Sequence, residues 1–166
     1  MLHLPARSRN PTRCRLRFVD SGRRMTIERT VEIRRPMRDV YEYICDPSRL
    51  NEWRDGLLAV ARLSPSGMID GAVYHETIAT PLGPKQVTVR LSTTPPDRLS
   101  FEVLDGPFRP DGSVTMRDLG GITELTYRMQ GPTVMGIPTP LDRVVEDLLT
   151  KNVENSVANL KRILDV

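Results

Sequence analysis

The chain has 166 residues, the size of one ordinary domain that can bury a hydrophobic core of its own. Its longest apolar run is residues 57–61, far short of the roughly 20 residues that span a bilayer, so we expect no membrane-spanning helix. Cys14 and Cys45 are the only cysteines, which argues against a structural disulfide and favours a reducing, cytoplasmic location.

The net charge of +3 is concentrated at the N-terminus. Residues 1–24 hold seven arginines and one aspartate, hence +6, which leaves −3 for the other 142 residues. A mildly acidic remainder does not present the basic face that neutralises phosphates, so we expect no nucleic-acid partner. We interpret residues 1–24 as a basic, disordered N-terminal extension of a domain at 25–166, with an organelle transit peptide as the alternative.

The first regular elements are a strand and two short helices. Residues 26–34 alternate between two sides, which is typical of a half-buried strand. Pro36 fits the first turn of the following helix, where its missing N–H costs nothing. Asp46 and Pro47 end that helix, and Asp46 can cap a second short helix that reaches Trp53.

Further strands are predicted along the middle of the chain. Six segments have the required pattern: 57–63, 72–80, 85–94, 98–104, 113–118 and 122–130. The connections between them are short and rich in glycine and proline, as in antiparallel hairpins. A parallel sheet would need crossover helices between the strands, so the pattern favours an antiparallel meander.

The chain ends in one long amphipathic helix, predicted over Pro140–Leu164. Apolar residues, among them Leu148, recur on one face, and Asn152 is a polar residue within that face. At 1.5 Å per residue such a helix is about 37 Å long, enough to cross a small sheet.

These elements together resemble the START-like (SRPBCC) superfamily, in its polyketide cyclase/dehydrase and lipid-transport branch, over residues 26–165. No single motif is specific, but the order and spacing of several are. The residues that carry the resemblance are Val40, Tyr41, Ile44, Asp46, Pro47, Leu50, Trp53, Gly71, Tyr74, residues 96–101, residues 120–123 and residues 160–164.

The resemblance implies an α+β, helix-grip fold. In this fold a curved antiparallel sheet of about seven strands wraps around a long C-terminal helix, and two short helices follow the first strand. An elongated cavity lies between sheet and helix. The alternation of the strands is compatible with such a cavity, but it would also produce a dry, close-packed core.

Candidate ligand-binding residues follow from the strand alternation and from the resemblance. Strand positions that face the helix include Val89, Leu91, Phe101, Met116 and Tyr127, and the helix contributes Leu148 and Asn152. The resemblance adds Tyr74, turned inward, and Trp53, which either lies at the cavity entrance or packs as an ordinary core aromatic.

Catalytic residues are not identifiable, although Glu76 and Tyr127 are candidates for moving a proton. Glu76 shares the inward side with Tyr74, but it is equally able to pair with Arg90 on the next strand. His75 is the only histidine after residue 24 and is expected to face solvent, so no histidine-based metal site is available. We expect no metal and no cofactor, since the common nucleotide and metal motifs do not occur.

Two function classes remain from the sequence. The preferred one is binding or carriage of a hydrophobic small molecule, such as a lipid, quinone or polyketide, because the inward positions are apolar. The alternative is a polyketide cyclase, aromatase or dehydratase, in which the cavity orients a poly-β-keto chain and one acid or base moves a proton. Whether any reaction is catalysed, the identity of the ligand and the oligomeric state stay open.

Overall fold

The computed structural model describes residues 25–65, 69–131 and 140–165, with side chains from residue 143 onwards in the last range. The predicted N-terminal extension, residues 1–24, lies outside the described residues. Within the described ranges, each helix is too short or too polar to cross a bilayer.

The described elements are strands with three helices. The strands are β1 (Thr26–Ile33), β2 (Leu57–Arg62), β3 (Val73–Ile78), β4 (Lys85–Thr94), β5 (Arg98–Asp105), β6 (Asp111–Asp118) and β7 (Thr123–Gln130). The helices are α1 (Met37–Ile44), α2 (Leu50–Trp53) and α3 (Pro140–Leu164), and a single 3₁₀ turn (Pro47–Arg49) leads into α2. The helix-grip fold is confirmed: a curved antiparallel sheet, a long terminal helix, and short helices after the first strand.

The strands form one antiparallel sheet in the order β1-β7-β6-β5-β4-β3-β2. Consecutive strands from β2 to β7 are neighbours, as the hairpin connections predict. Strand β1 pairs with β7 and forms one edge of the sheet. The register puts Leu91 opposite Phe101, and both side chains are buried on the face that α3 covers. The opposite face of the sheet carries the more exposed residues, so the alternation predicted from the sequence is that of a sheet with one buried face.

Capping residues set the geometry of the short helices. Pro36 lies immediately before α1 as its N-cap rather than inside its first turn, because its ψ of 140° is extended. Asp46 accepts a hydrogen bond from the Ser48 backbone N–H at 2.9 Å and thereby caps the 3₁₀ turn. The two short helices leave Val40 and Trp53 almost fully buried against the sheet.

Helix α3 does not lie centrally on the sheet. Its close backbone contacts are with β1 and β7 and with α2. The buried Arg29 of β1 forms an ion pair with Glu154 of α3, and the carbonyl of Leu164 accepts a hydrogen bond from Arg35 at 2.9 Å. These contacts fix the helix over one side of the sheet, so the faces of β3, β4 and β5 lie farther from its backbone.

The interior therefore has two parts. Beside α1 and α2 it is close-packed, with Trp53, Tyr74, Leu91 and Leu125 each no more than 1% exposed. Beneath the end of β3, the start of β4 and the end of β5, it contains a cavity, which is described in the next subsection.

Gly112 makes room for an aromatic ring of the cavity wall. It lies opposite Phe101 across β5 and β6, and a Cβ at this position would be 2.5 Å from the Phe101 ring and 2.5 Å from the Arg128 carbonyl oxygen. The Arg128 carbonyl is part of the β7 backbone, so it cannot retreat without disturbing the sheet.

We expect Gly112→Ala to lower the free energy of unfolding by about 1–3 kcal/mol, the usual cost of forcing extra volume into a packed site. Urea denaturation measures this change. The matched control is Thr115→Ala on the outward side of the same strand, for which a loss below about 0.5 kcal/mol is expected. Equal stability of the two variants would show that Phe101 moves away without cost.

Candidate functional site

A cavity lies between the inner face of the sheet and the N-terminal half of α3. Its wall includes Ile78, Val87 and Val103 from the strands and Leu148 and Leu149 from the helix, and most of its other residues are also apolar. The volume open to the centres of water molecules is about 80 Å³, which is room for several waters. Together with its opening to solvent, the hollow holds about 750 Å³ of space between atoms.

An ion pair forms the polar end of this cavity. The Nη1 atom of Arg54 donates to Oε1 of Glu76 at 2.5 Å, and both residues line the wall. The side chains are 13% and 1% exposed, so the pair is almost completely removed from water. The second carboxylate oxygen, Oε2 of Glu76, is buried and has no hydrogen-bond partner in the described part of the chain.

The loop after α2 positions the Arg54 guanidinium. The Asp55 backbone N–H donates to Oγ of Ser156 on α3 at 2.9 Å. Gly56 has a φ of +78°, which favours glycine, and a Cβ there would come within 3.1 Å of the Asn152 side chain. The loop is held against α3, and the Gly56 carbonyl oxygen accepts a hydrogen bond from the Ala79 backbone N–H at 2.8 Å. These contacts fix the backbone of the loop, and the Arg54 side chain extends from it into the interior.

Aromatic rings surround the ion pair. The ring of Phe101 lies 5.5 Å from the Arg54 guanidinium carbon, a distance suited to a cation–π contact. Tyr127 contacts the rings of Phe101 and Trp53 edge to face, with centroids 6.2 and 6.1 Å apart. Burial raises the pKa of the Tyr127 hydroxyl above its ordinary value, although the nearby Arg54 cation opposes this shift.

The charge on Arg54 is stabilised despite its burial. Burial alone would lower the pKa of the guanidinium, but the Glu76 carboxylate and the Tyr127 hydroxyl outweigh it, and the net pKa is raised. The site therefore contains a cation, an anion and a neutral hydroxyl within one apolar cavity.

Five of the predicted site residues lie on the cavity wall. They are Glu76, Phe101, Tyr127, Leu148 and Asn152. Strand alternation and the stripe of the last helix had placed these side chains on the inner face, and the structure brings them to the same end of the interior.

Five other predicted ligand contacts lie in the close-packed part of the interior instead of on the cavity wall: Trp53, Tyr74, Val89, Leu91 and Met116. They face inward, as the alternation predicts. The reason for their position is that α1 and α2 fill the space at that end of the sheet. Trp53 thus packs edge to face against the Tyr127 ring and does not lie at the cavity entrance.

The suggested pairing of Glu76 with Arg90 is wrong. Arg90 lies between the inward Val89 and Leu91 on β4, so its side chain points to the outer face, where its partner is Glu102 at 3.5 Å. His75 also lies on that face, and it is half-buried. In the described ranges, no three side chains of the metal-ligating types come together as a site.

Sequence reasoning missed Arg54, the partner of Glu76. This residue follows α2 in an irregular loop, where no periodicity predicts the direction of a side chain. One available signal was physical: an inward carboxylate in an apolar interior requires a cation close by. Arg54, directly after the buried Trp53, was a candidate on that ground.

Known proteins resemble the chain in sequence pattern and in fold. The family model for polyketide cyclase/dehydrase and lipid transport matches residues 24–165. No protein with curated annotation matches the chain. A START superfamily protein from Mycobacterium smegmatis superposes with a TM-score of 0.68 at 13% identity, over 84% of this chain and 97% of that chain.

Two further solved structures share the fold. The Zhui aromatase/cyclase from Streptomyces sp. R1128 has a TM-score of 0.67 at 20% identity, over 85% of this chain and 92% of that chain. A STAR-related lipid transfer protein fragment from Xanthomonas axonopodis has a TM-score of 0.70 at 14% identity, over 97% of each chain. Since the family model covers nearly all of the described residues, the protein belongs to the polyketide cyclase/dehydrase and lipid-transport family, and it has the START-like fold.

Proposed function

We propose that the protein binds a hydrophobic small molecule, of a lipid, quinone or polyketide-like kind, in the cavity between the sheet and α3. The observation that carries this proposal is a mostly apolar wall that includes a few polar side chains, among them Arg54 and Glu76, and that opens to solvent. Apolar pockets with a few convergent polar groups are the usual form of small-molecule sites. The family to which the chain belongs supports the same function.

The dimensions of the cavity limit how the ligand is held. The volume of about 80 Å³ is smaller than the roughly 300–1,000 Å³ of typical ligand pockets, so a typical ligand would be held only in part within the cavity. In this proposal Phe101 and Leu148 contact the apolar part of the ligand, and Tyr127 and Asn152 offer hydrogen bonds to an oxygen. A cytoplasmic site of action is part of the proposal, because both cysteines suit a reducing compartment.

Filling the cavity from the helix tests the proposal. We expect Leu148→Trp to weaken binding of the neutral fluorescent probe N-phenyl-1-naphthylamine by about tenfold or more, because the indole takes the space of the ligand. The matched control is Asp147→Trp, on the exposed side of α3 away from the cavity, which should bind like the unaltered protein. Titration of probe fluorescence measures both.

Thermal unfolding of the same variants shows whether Leu148→Trp still folds. Equal probe affinity in the folded Leu148→Trp variant and in the unaltered protein would contradict the proposed site. Failure of the unaltered protein to bind the probe at all would contradict the proposed function.

A second candidate function is a polyketide cyclase, aromatase or dehydratase. The observation that favours it is the convergence of Glu76 and Tyr127 on one cavity, with the Arg54 guanidinium beside both. An ion-paired carboxylate is a proton acceptor, so Glu76 would act as a base. Tyr127, with its pKa raised by burial, stays protonated at neutral pH and would act as the hydrogen-bond donor to a substrate carbonyl.

For this second candidate, Tyr127→Phe is the informative change. If the protein is a cyclase, kcat on a synthetic linear poly-β-keto thioester should fall by about 10²–10⁴-fold, the usual contribution of a positioned acid or base. Tyr74→Phe is the control, since Tyr74 is equally buried but lies away from the cavity wall. Chromatography of cyclised products gives the rates. A rate equal to that without protein would reject catalysis and leave binding as the function.

A further inference from the structure

The structure contains a buried hydrogen-bond acceptor that the protein does not use. Glu76 is 0% exposed and lies on the cavity wall, yet its Oε2 atom has no partner in the described part of the chain. Buried polar atoms in native proteins are nearly always hydrogen-bonded, and an unmet one is costly. Because Oε2 is itself fully buried, a neighbouring side chain must shift before a group in the cavity can reach it and donate the hydrogen bond that removes this cost.

The charges around this atom restrict what that group can be. The positive charge of Arg54 is already matched by Glu76 at 2.5 Å, so the pair is neutral as a unit, and the cavity wall carries a further carboxylate, that of Asp55. A ligand carboxylate would place a second anion beside Glu76 in a medium of low dielectric constant, where like charges repel strongly. A ligand hydroxyl carries the required donor and adds no charge.

From these two observations we infer that the cavity selects ligands that end in a neutral hydroxyl group, such as an alcohol, phenol or enol, and rejects the corresponding carboxylates. The ligand hydroxyl donates to Oε2 of Glu76. This inference rests on the proposed function, because it concerns the same cavity, and it adds the chemical class of the ligand.

The surroundings of Glu76 fit a ligand with a hydroxyl group on an apolar body. Phe101 and Tyr127 provide aromatic surface on the same wall as the carboxylate, and Leu148 and Leu149 of α3 also line that wall. With its hydroxyl at Glu76, the ligand would place its apolar body against these residues. Such an arrangement orients the ligand as well as binding it.

Three compounds with the same ring system test the inference: naphthalene, 2-naphthol and 2-naphthoate. Equilibrium dialysis at neutral pH measures their affinities for the unaltered protein. We expect 2-naphthol to bind about tenfold or more tightly than naphthalene, the gain from a hydrogen bond to a charged acceptor, and 2-naphthoate to bind more weakly than naphthalene.

The outcomes separate this inference from the proposed function. If none of the three compounds binds, the proposed function itself fails. If all three bind with equal affinity, the cavity is a ligand site but Glu76 does not select a hydroxyl, and only the inference fails. Tighter binding of 2-naphthoate than of 2-naphthol would also overturn it.

The variant Glu76→Gln provides the second measurement. Without the carboxylate, the charge of Arg54 is no longer matched, so we expect 2-naphthoate to gain about tenfold in affinity while 2-naphthol loses its advantage over naphthalene. Glu102→Gln is the matched control, since Glu102 makes its ion pair with Arg90 on the outer face and should leave all three affinities unchanged. If Glu76→Gln does not fold, the comparison of the three compounds in the unaltered protein decides alone.

Discussion

The position of α3 over one side of the sheet determines where the interior is filled and where it is not. A single helix cannot cover the whole width of a seven-stranded sheet, because a helix with its side chains is about 10–12 Å wide, whereas strands about 4.8 Å apart make such a sheet roughly 30 Å wide. Here α3 is held close to β1 and β7, with the buried Arg29 paired to Glu154. The two short helices fill one of the remaining areas. The other, below β3, β4 and β5, becomes the cavity.

The buried pair of Arg54 and Glu76 is difficult to explain by stability alone. Removing two charges from water costs several kcal/mol each, and well-packed apolar residues of the same volume often stabilise a protein as much or more. The pair also leaves one carboxylate oxygen without a partner in the described part of the chain. A polar arrangement that is incomplete within the protein is typical of a site that a ligand completes.

The alternation of the strands was sufficient to predict an antiparallel sheet and its inner face, and the resemblance to the START-like superfamily supplied the helix-grip arrangement. The alternation placed Phe101 and Tyr127 correctly toward the helix, and the stripe of the last helix gave its bounds, Pro140–Leu164. Alternation predicts which face of the sheet a side chain occupies, but it does not predict the distance between that side chain and the helix. For this reason it could not separate Leu91, in the packed part, from the cavity wall. Arg54 lies in a loop without any period, so its direction depended on tertiary contacts alone.

The role of the Glu76 carboxylate differs between the two candidate functions. In a binding protein, Glu76 accepts a hydrogen bond from the ligand and keeps its charge, so the ion pair with Arg54 persists. In a cyclase, Glu76 must accept a whole proton, and this would leave the Arg54 cation without its counter-charge in a site that is almost fully buried. An uncompensated buried charge costs about 3–5 kcal/mol. Catalysis therefore requires a substrate that develops negative charge beside Arg54 at the same step, whereas binding has no such requirement and is the simpler use of this geometry.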